Sequence, residues 1–344
     1  MEDAAQPWLL ETGLDFLNHG SFGACPREVL EAQAAWRERM ERDPVRFLAA
    51  DLEPALDDSR ARLGAFLGAR PEDLAFVPNA TAGVNTVLRS LAEVLRPGDE
   101  ILTTDHEYNA VLNAIRRVSE RTGARMTIAR MPFPLASVDE AVAKIVGAVT
   151  HRTRLAVISH VTSATALVLP IAEIVRRLAE AGVDTLVDGA HGPGMLPLDL
   201  DAIGAAYYAG NGHKWLCAPK GSGFLHVRRD RQDRIEPLVI SHGANSPRVD
   251  RSRFLLEFDW TGTADPTAWL SLGTAIDVVG RLADGGWPAL MAANRSLALE
   301  GAAIVRVALG VEPAAPEAMI GSMVAIPVPA DLRPRAEGGA AVVD

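Results

Sequence analysis

A chain of 344 residues, 48% hydrophobic and 23% charged, is long enough for two domains and carries ample apolar material for a packed core. Its 44 acidic residues outnumber 34 basic ones, giving a formal charge of −10. The densest basic cluster, Arg228-Arg229-Asp230-Arg231, is interrupted by acid, so nothing resembles a nucleic-acid or anionic-membrane surface.

Cys25 and Cys217 match no zinc spacing and no disulfide framework. The amino terminus lacks a basic segment leading into an apolar run, and no uninterrupted apolar stretch approaches membrane length. A cytoplasmic protein is the expectation, with no metal centre. Among the basic residues only Lys144, Lys214 and Lys220 are lysines. Any chemistry that needs a lysine amine therefore has three candidates.

In chain order, 26–40 and 51–67 read as amphipathic helices, with apolar residues at three- and four-residue intervals. From residue 74 short β-rich runs (74–77, 100–103, 125–129, 154–158, 184–187, 205–209 and 223–227) alternate with helical stretches at 81–95, 109–122, 138–149 and 170–181. Strand and helix in turn, with strands apolar enough for burial on both faces, predict an α/β fold around a mostly parallel sheet. Ligands of such sheets gather at the carboxyl ends of the strands. Two further helical stretches, 266–283 and 287–308, and an apolar run at 319–326 suit a smaller carboxyl-terminal part. Residues 330–344 are rich in Pro, Gly and Ala without periodicity and read as an unstructured end.

Three segments carry chemistry. Ala209-Gly210-Asn211-Gly212-His213-Lys214-Trp215 follows a strand and offers an amine suited to a Schiff base; a surface lysine in a glycine turn is the alternative. Val187-Asp188-Gly189-Ala190-His191 puts a carboxylate at the end of a buried strand, where Asp-Gly also serves as a turn. Val77-Pro78-Asn79-Ala80-Thr81 opens a helix whose free amides suit a phosphate, or form an ordinary N-cap. Together these are the parts of a pyridoxal phosphate (PLP) site: an amine, a partner for the pyridine nitrogen and a phosphate cradle.

With those motifs the chain resembles class V aminotransferase-fold enzymes, in particular their isopenicillin N epimerase-like branch. Further marks are Leu17-Asn18-His19-Gly20-Ser21-Phe22-Gly23, Asp105-His106-Glu107-Tyr108 and Ser159-His160-Val161-Thr162-Ser163. The resemblance implies the fold-type I PLP-dependent transferase architecture. Residues 1–265 would hold an amino-terminal segment and the large PLP-binding domain, and 266–344 a smaller α+β subdomain. It implies Lys214 as Schiff-base lysine and proton shuttle, and Asp188 as pyridinium partner. Tyr108 would stack on the cofactor, with His106 as the second choice. Asn79 belongs to the phosphate cradle, where Ala80, Thr81, Asn211 and His213 would hold the phosphate, and His191 and Ser163 would lie near the ring hydroxyl. Thr263 would reach the phosphate from a neighbouring subunit, implying a homodimer with shared sites. Asn18 would touch substrate or form a turn.

Relatives run further and supply a late arginine for the substrate carboxylate. This sequence shows no clear match; Arg333 and Arg335 are the substitutes on offer. Reaction type stays open among epimerisation, transamination and C–S bond elimination on an amino-acid substrate. A cysteine desulfurase is disfavoured, because Cys25 and Cys217 sit in apolar settings rather than in a mobile late segment. A catalytically weakened homologue is a further alternative.

Overall fold

The computed structural model describes residues 7–329 and 332. Its centre is a sheet of seven strands: β1 (Leu74–Val77), β2 (Glu100–Thr104), β3 (Arg125–Ala129), β4 (Thr153–Ser159), β5 (Asp184–Gly189), β6 (Tyr207–Asn211) and β7 (Gly223–Val227). Their spatial order is β1-β7-β6-β5-β4-β2-β3. β3, β2, β4, β5 and β6 pair in parallel, whereas β7 is antiparallel to both β6 and β1. All seven β-rich runs of the sequence are strands of this sheet. The mostly parallel prediction holds, and the one reversed strand follows from the short return between Asn211 and Gly223, too short for a crossover helix.

Helices cover both faces, and alternation along the strands decides which residue goes where. Leu102, Ala156, Ile158, Val187, Tyr208 and Phe224 enter one apolar cluster. Their chain neighbours Ile101, Leu155, Val157, Leu186, Tyr207 and Leu225 enter the other. Both faces are thus apolar, which is why these strands read as continuous hydrophobic runs.

Local chemistry sets the helix limits. Asn79 caps the helix Ala80–Leu91 by accepting from Ala82 N at 2.9 Å. The helix Asn109–Thr122 ends at Gly123 in the left-handed region. The helix Arg27–Arg42 is followed by the helix Leu52–Leu67, with an intervening π-turn Phe47–Asp51 whose Phe47 is buried. The stretch predicted as one helix over 266–283 is two, Thr267–Leu270 and Leu272–Gly280, divided at Ser271, whose hydroxyl donates to Thr267 O. A 24-residue helix, Gly286–Leu309, follows. The apolar run 319–326 forms no strand. It carries a single bridge, Ile320 to Leu167, after a 3₁₀ turn at Glu317–Met319. Residues 333–344, with Arg333 and Arg335, lie outside the described residues, as does most of the tail predicted to lack structure. No helix of the described residues is long and apolar enough to cross a membrane.

Candidate active site

The carboxyl ends of β4, β5 and β6 open into a cavity of about 620 Å³. Nearly every candidate residue converges there. Asn79, Ala80 and Thr81 line it from the start of the helix Ala80–Leu91, and Tyr108 from the start of the next helix. Ser163 comes from the loop after β4, Asp188 from β5 and His191 from just beyond it. Asn211, His213 and Lys214 arrive from the end of β6, and Asn18 from the amino-terminal segment. Thr263 is the exception: it is exposed and does not line this chain's cavity. His106 is turned to other work, with Nδ1 2.9 Å from Thr165 Oγ1 and Nε2 3.2 Å from Met131 O. A larger groove of about 810 Å³ along Phe133, Leu299 and Arg306 contains no lysine, so size alone does not locate the chemistry.

Lys214 Nζ lies 2.9 Å from His191 Nε2. Burial pushes the Lys214 amine down to about 8, against the opposing pull of Asp188. Burial, reinforced by Lys214, pushes His191 down to about 3, so its ring is neutral. His191 Nδ1 takes the indole N–H of Trp215 at 3.4 Å. A neutral imidazole with Nδ1 accepting carries its proton on Nε2 and presents it to the amine. Asp188 is buried, accepts from Ala190 N at 2.9 Å, and has its carboxyl pushed up by burial while Lys214 draws it back.

The phosphate end of the cavity is a set of hydrogen-bond donors. Ala80 N donates to Asn211 Oδ1 at 2.8 Å, Ala82 N to Asn79 Oδ1, and Gly83 N to Asn79 O. Within that first turn the Thr81 N–H has no protein acceptor among the described residues. His213 Nδ1 is buried and unpartnered. Asn211 therefore holds the helix end in place through Oδ1.

Two glycines explain the local path. A Cβ on Gly189 would meet the Tyr208 ring at 2.0 Å, so the Asp-Gly pair ends a strand beside a buried aromatic and also opens the turn that Gly192 N closes on Gly189 O at 2.9 Å. A Cβ on Gly23 would meet Lys214 O at 2.2 Å. Gly23 N instead donates to His213 O at 2.9 Å, and Lys220 Nζ donates to Gly23 O at 2.6 Å. The amino-terminal motif is thus strapped onto the lysine loop, and Lys220 is a fastener for it.

Sequence reasoning missed Ser159 and Met323, which also line the cavity, and Glu107, buried just behind it. Ser159 and Glu107 both sat within motifs already singled out. Their pairing depends on strand order, which the sequence does not display.

Comparison with known proteins then decides the family. The family model for aminotransferase class-V matches residues 24–302. The chain belongs to that family. It is 41% identical over 286 residues to the isopenicillin N epimerase of Amycolatopsis lactamdurans, covering 80% of this chain and 72% of that protein. The Streptomyces clavuligerus isopenicillin N epimerase is 37% identical, over 86% of this chain and 76% of that protein. An L-cysteine desulfhydrase of Arabidopsis thaliana is 31% identical, over 94% of this chain and 72% of that protein. Among solved structures, a C-DES mutant with glycine covalently linked to the PLP cofactor superimposes with a TM-score of 0.71 at 25% identity, covering 79% of this chain and 72% of that chain. The fold is that of the fold-type I PLP enzymes, as the sequence motifs implied.

Proposed function

We propose that this class V PLP enzyme acts on the Cα–H bond of an amino acid, as an epimerase or aminotransferase, with Lys214 as its proton carrier. The observation that carries the reading is the Lys214–His191 contact inside a cavity shared with Asp188 and a donor-lined helix start. The residues present fit the cofactor. The free Thr81 N–H, the orphaned His213 Nδ1 and the positive end of the helix Ala80–Leu91 suit a phosphate. Asp188 is the buried carboxylate suited to a ring nitrogen, and Tyr108 offers a flat face. When bound, PLP supplies an electron-withdrawing ring that stabilises negative charge at the substrate Cα.

The protein's own part is proton handling and placement. Lys214, with its amine lowered to about 8, is poised to take and return a proton near neutral pH. His191 Nε2–H keeps that amine oriented. Asp188 holds negative charge where a pyridinium would need it.

A C–S lyase is the second reading, favoured by the likeness to a desulfhydrase over 94% of the chain. A persulfide-carrying desulfurase fits poorly. Burial pushes the Cys25 thiol up to about 11 and that of Cys217 up to about 12, so neither is a ready nucleophile. Two free, buried thiols suit a reducing compartment such as the cytoplasm.

The same proposal includes a homodimer. Thr263 is exposed and outside its own chain's cavity, which is compatible with a role in a partner's site. Mixed K214A and T263A subunits should then regain turnover that neither variant shows alone.

The deciding experiment follows Cα–H exchange in heavy water over a panel of amino acids, with product analysis. Exchange in the wild type that is lost in K214A supports the reading. Absence of exchange on every amino acid, or exchange that survives K214A, overturns it.

A further inference from the structure

Glu107 lies in the turn after β2, and only 6% of it is exposed. Its Oε1 accepts from Ser159 Oγ at 2.6 Å and from Tyr108 N at 2.9 Å. Its Oε2 is buried and unpartnered. Ser159 ends β4 directly across from Asp188 on β5. Two carboxyl groups therefore share one buried corner. The groups that act on Glu107 most are Asp188 from β5, Ser159 from β4 and its own neighbour Tyr108 N, with no cation among them. Beyond Ser159, the His160 ring is neutral, with its Nδ1 3.1 Å from Tyr208 OH, while the His160 backbone N–H donates to the Asp188 carbonyl.

An unpaired buried carboxylate is costly, and a second beside it costs more, so at most one of the pair ionises readily. The nearby cation decides which one. The Lys214 charge draws Asp188 toward its ionised form, whereas burial and the Asp188 charge dominate at Glu107 and hold it toward the acid. We propose that Glu107 is a positioning residue held as the neutral acid, pinning Ser159 and the Tyr108 backbone at the cavity wall and leaving Asp188 the sole carboxylate of the site. Burial and Asp188 together push the Glu107 carboxyl up to about 8, against the hydrogen bonds it accepts from Ser159 and the Tyr108 backbone. Were Glu107 to ionise, its charge would raise the proton affinity of Asp188, which would then hold a proton instead of a bare charge. The proposal rests on Asp188 serving a cofactor nitrogen for its meaning, but its central claim concerns a proton that can be seen without the cofactor.

Infrared difference spectroscopy of the purified protein, cofactor-loaded and cofactor-stripped, supplies the test. The wild type at neutral pH should show a protonated-carboxyl C=O band that E107Q lacks and D188N keeps. The band should titrate away near pH 8, and at lower pH in D188N. A wild type without the band, or a band that survives E107Q and vanishes in D188N, overturns the proposal. In the loaded protein E107Q keeps both acceptor contacts through its amide oxygen and should bind PLP as the wild type does. E107A, which leaves Ser159 and Tyr108 N without their acceptor, should bind it about tenfold more weakly. Equal affinity in the two variants also overturns the positioning role. Failure of the wild type to bind PLP would sink the cofactor reading while leaving the infrared result on Glu107 intact.

Discussion

Lys214 Nζ and His191 Nε2 stand 2.9 Å apart in a pocket that burial makes inhospitable to charge. With Nδ1 engaged by Trp215, His191 donates to the amine and stabilises its neutral form. Because the chain holds three lysines, ¹³C-dimethylation gives few resonances to assign. One should titrate near pH 8, disappear in K214A and move to higher pH in H191F, which keeps bulk but lacks the donor. D188N should move it lower, since Asp188 favours the ammonium. A Lys214 resonance titrating at the ordinary lysine value would contradict the electrostatics described above.

The same shift has a stability consequence. Between about pH 8 and the ordinary lysine value the unfolded chain holds a proton that the folded one has released, so folding stability rises with pH across that window. K214M removes the penalty of burying an amine and should stabilise the protein by about 1–3 kcal/mol at pH 7. Urea unfolding at pH 7 and pH 9 checks both signs; the pH 7-to-9 rise should shrink in K214M.

Acid acts through the histidines. Burial pushes His160 and His213 down to about 4 and His191 to about 3. As pH falls below the ordinary histidine value, the unfolded chain binds protons that the folded one refuses, and stability is lost down to about pH 4. Glu107 works in the opposite sense. Its carboxyl stays protonated up to about 8 in the folded chain, so its contribution is present at low pH and fades as pH rises from the ordinary glutamate value to 8. H160N, which keeps an Nδ1-like contact to Tyr208, should flatten the loss between pH 6 and 5, and E107Q should flatten the decline between pH 6 and 8. Calorimetric midpoints across that range are the measurement, and unchanged slopes would refute the assignment.

The central strands were legible because alternation between two apolar clusters makes their runs hydrophobic throughout, as Leu155 to Ile158 shows. Lys214 and Asp188 were legible because scarcity and strand-end position single them out. Strand order was not, since nothing local to β2 says that it lies beside β4. The Glu107–Ser159 contact spans 52 positions and exists only through that order. Likewise the break at Ser271 reflects a hydroxyl turned back onto Thr267 O, a choice that apolar periodicity does not register. Nor does the sequence around Lys220 name its partner, Gly23 O, 197 positions away.

Gly23 tests how tightly the amino-terminal segment must dock. A methyl there would press on Lys214 O at 2.2 Å and His213 O at 2.6 Å, both backbone atoms that cannot swing aside. G23A should therefore cost about 1–3 kcal/mol of stability or lift the segment off the lysine loop. In the second case Asn18 leaves the cavity, and hydrogen exchange should rise across 17–23 with the sheet unaffected. A variant as stable and as protected as the wild type would show that the strap is slack.

The cysteines separate the two C–S chemistries that relatives of this fold perform. A desulfurase passes sulfur to a protein thiol, whereas an elimination needs none. Cys217 is buried, with Sγ 3.4 Å from His19 Nδ1, and its thiol is raised to about 12 chiefly by burial. Burial also raises Cys25 to about 11, although Lys220 opposes the shift. Neither provides thiolate near neutral pH. The double variant C25A/C217A trims small buried side chains and should lose about 1–2 kcal/mol of stability while keeping its turnover on amino acids. Mass spectrometry of the wild type after incubation with cysteine should find no persulfide on either residue. Loss of turnover at preserved cofactor content, or a persulfide on Cys217, would move the protein to the desulfurases and end the epimerase and lyase readings together.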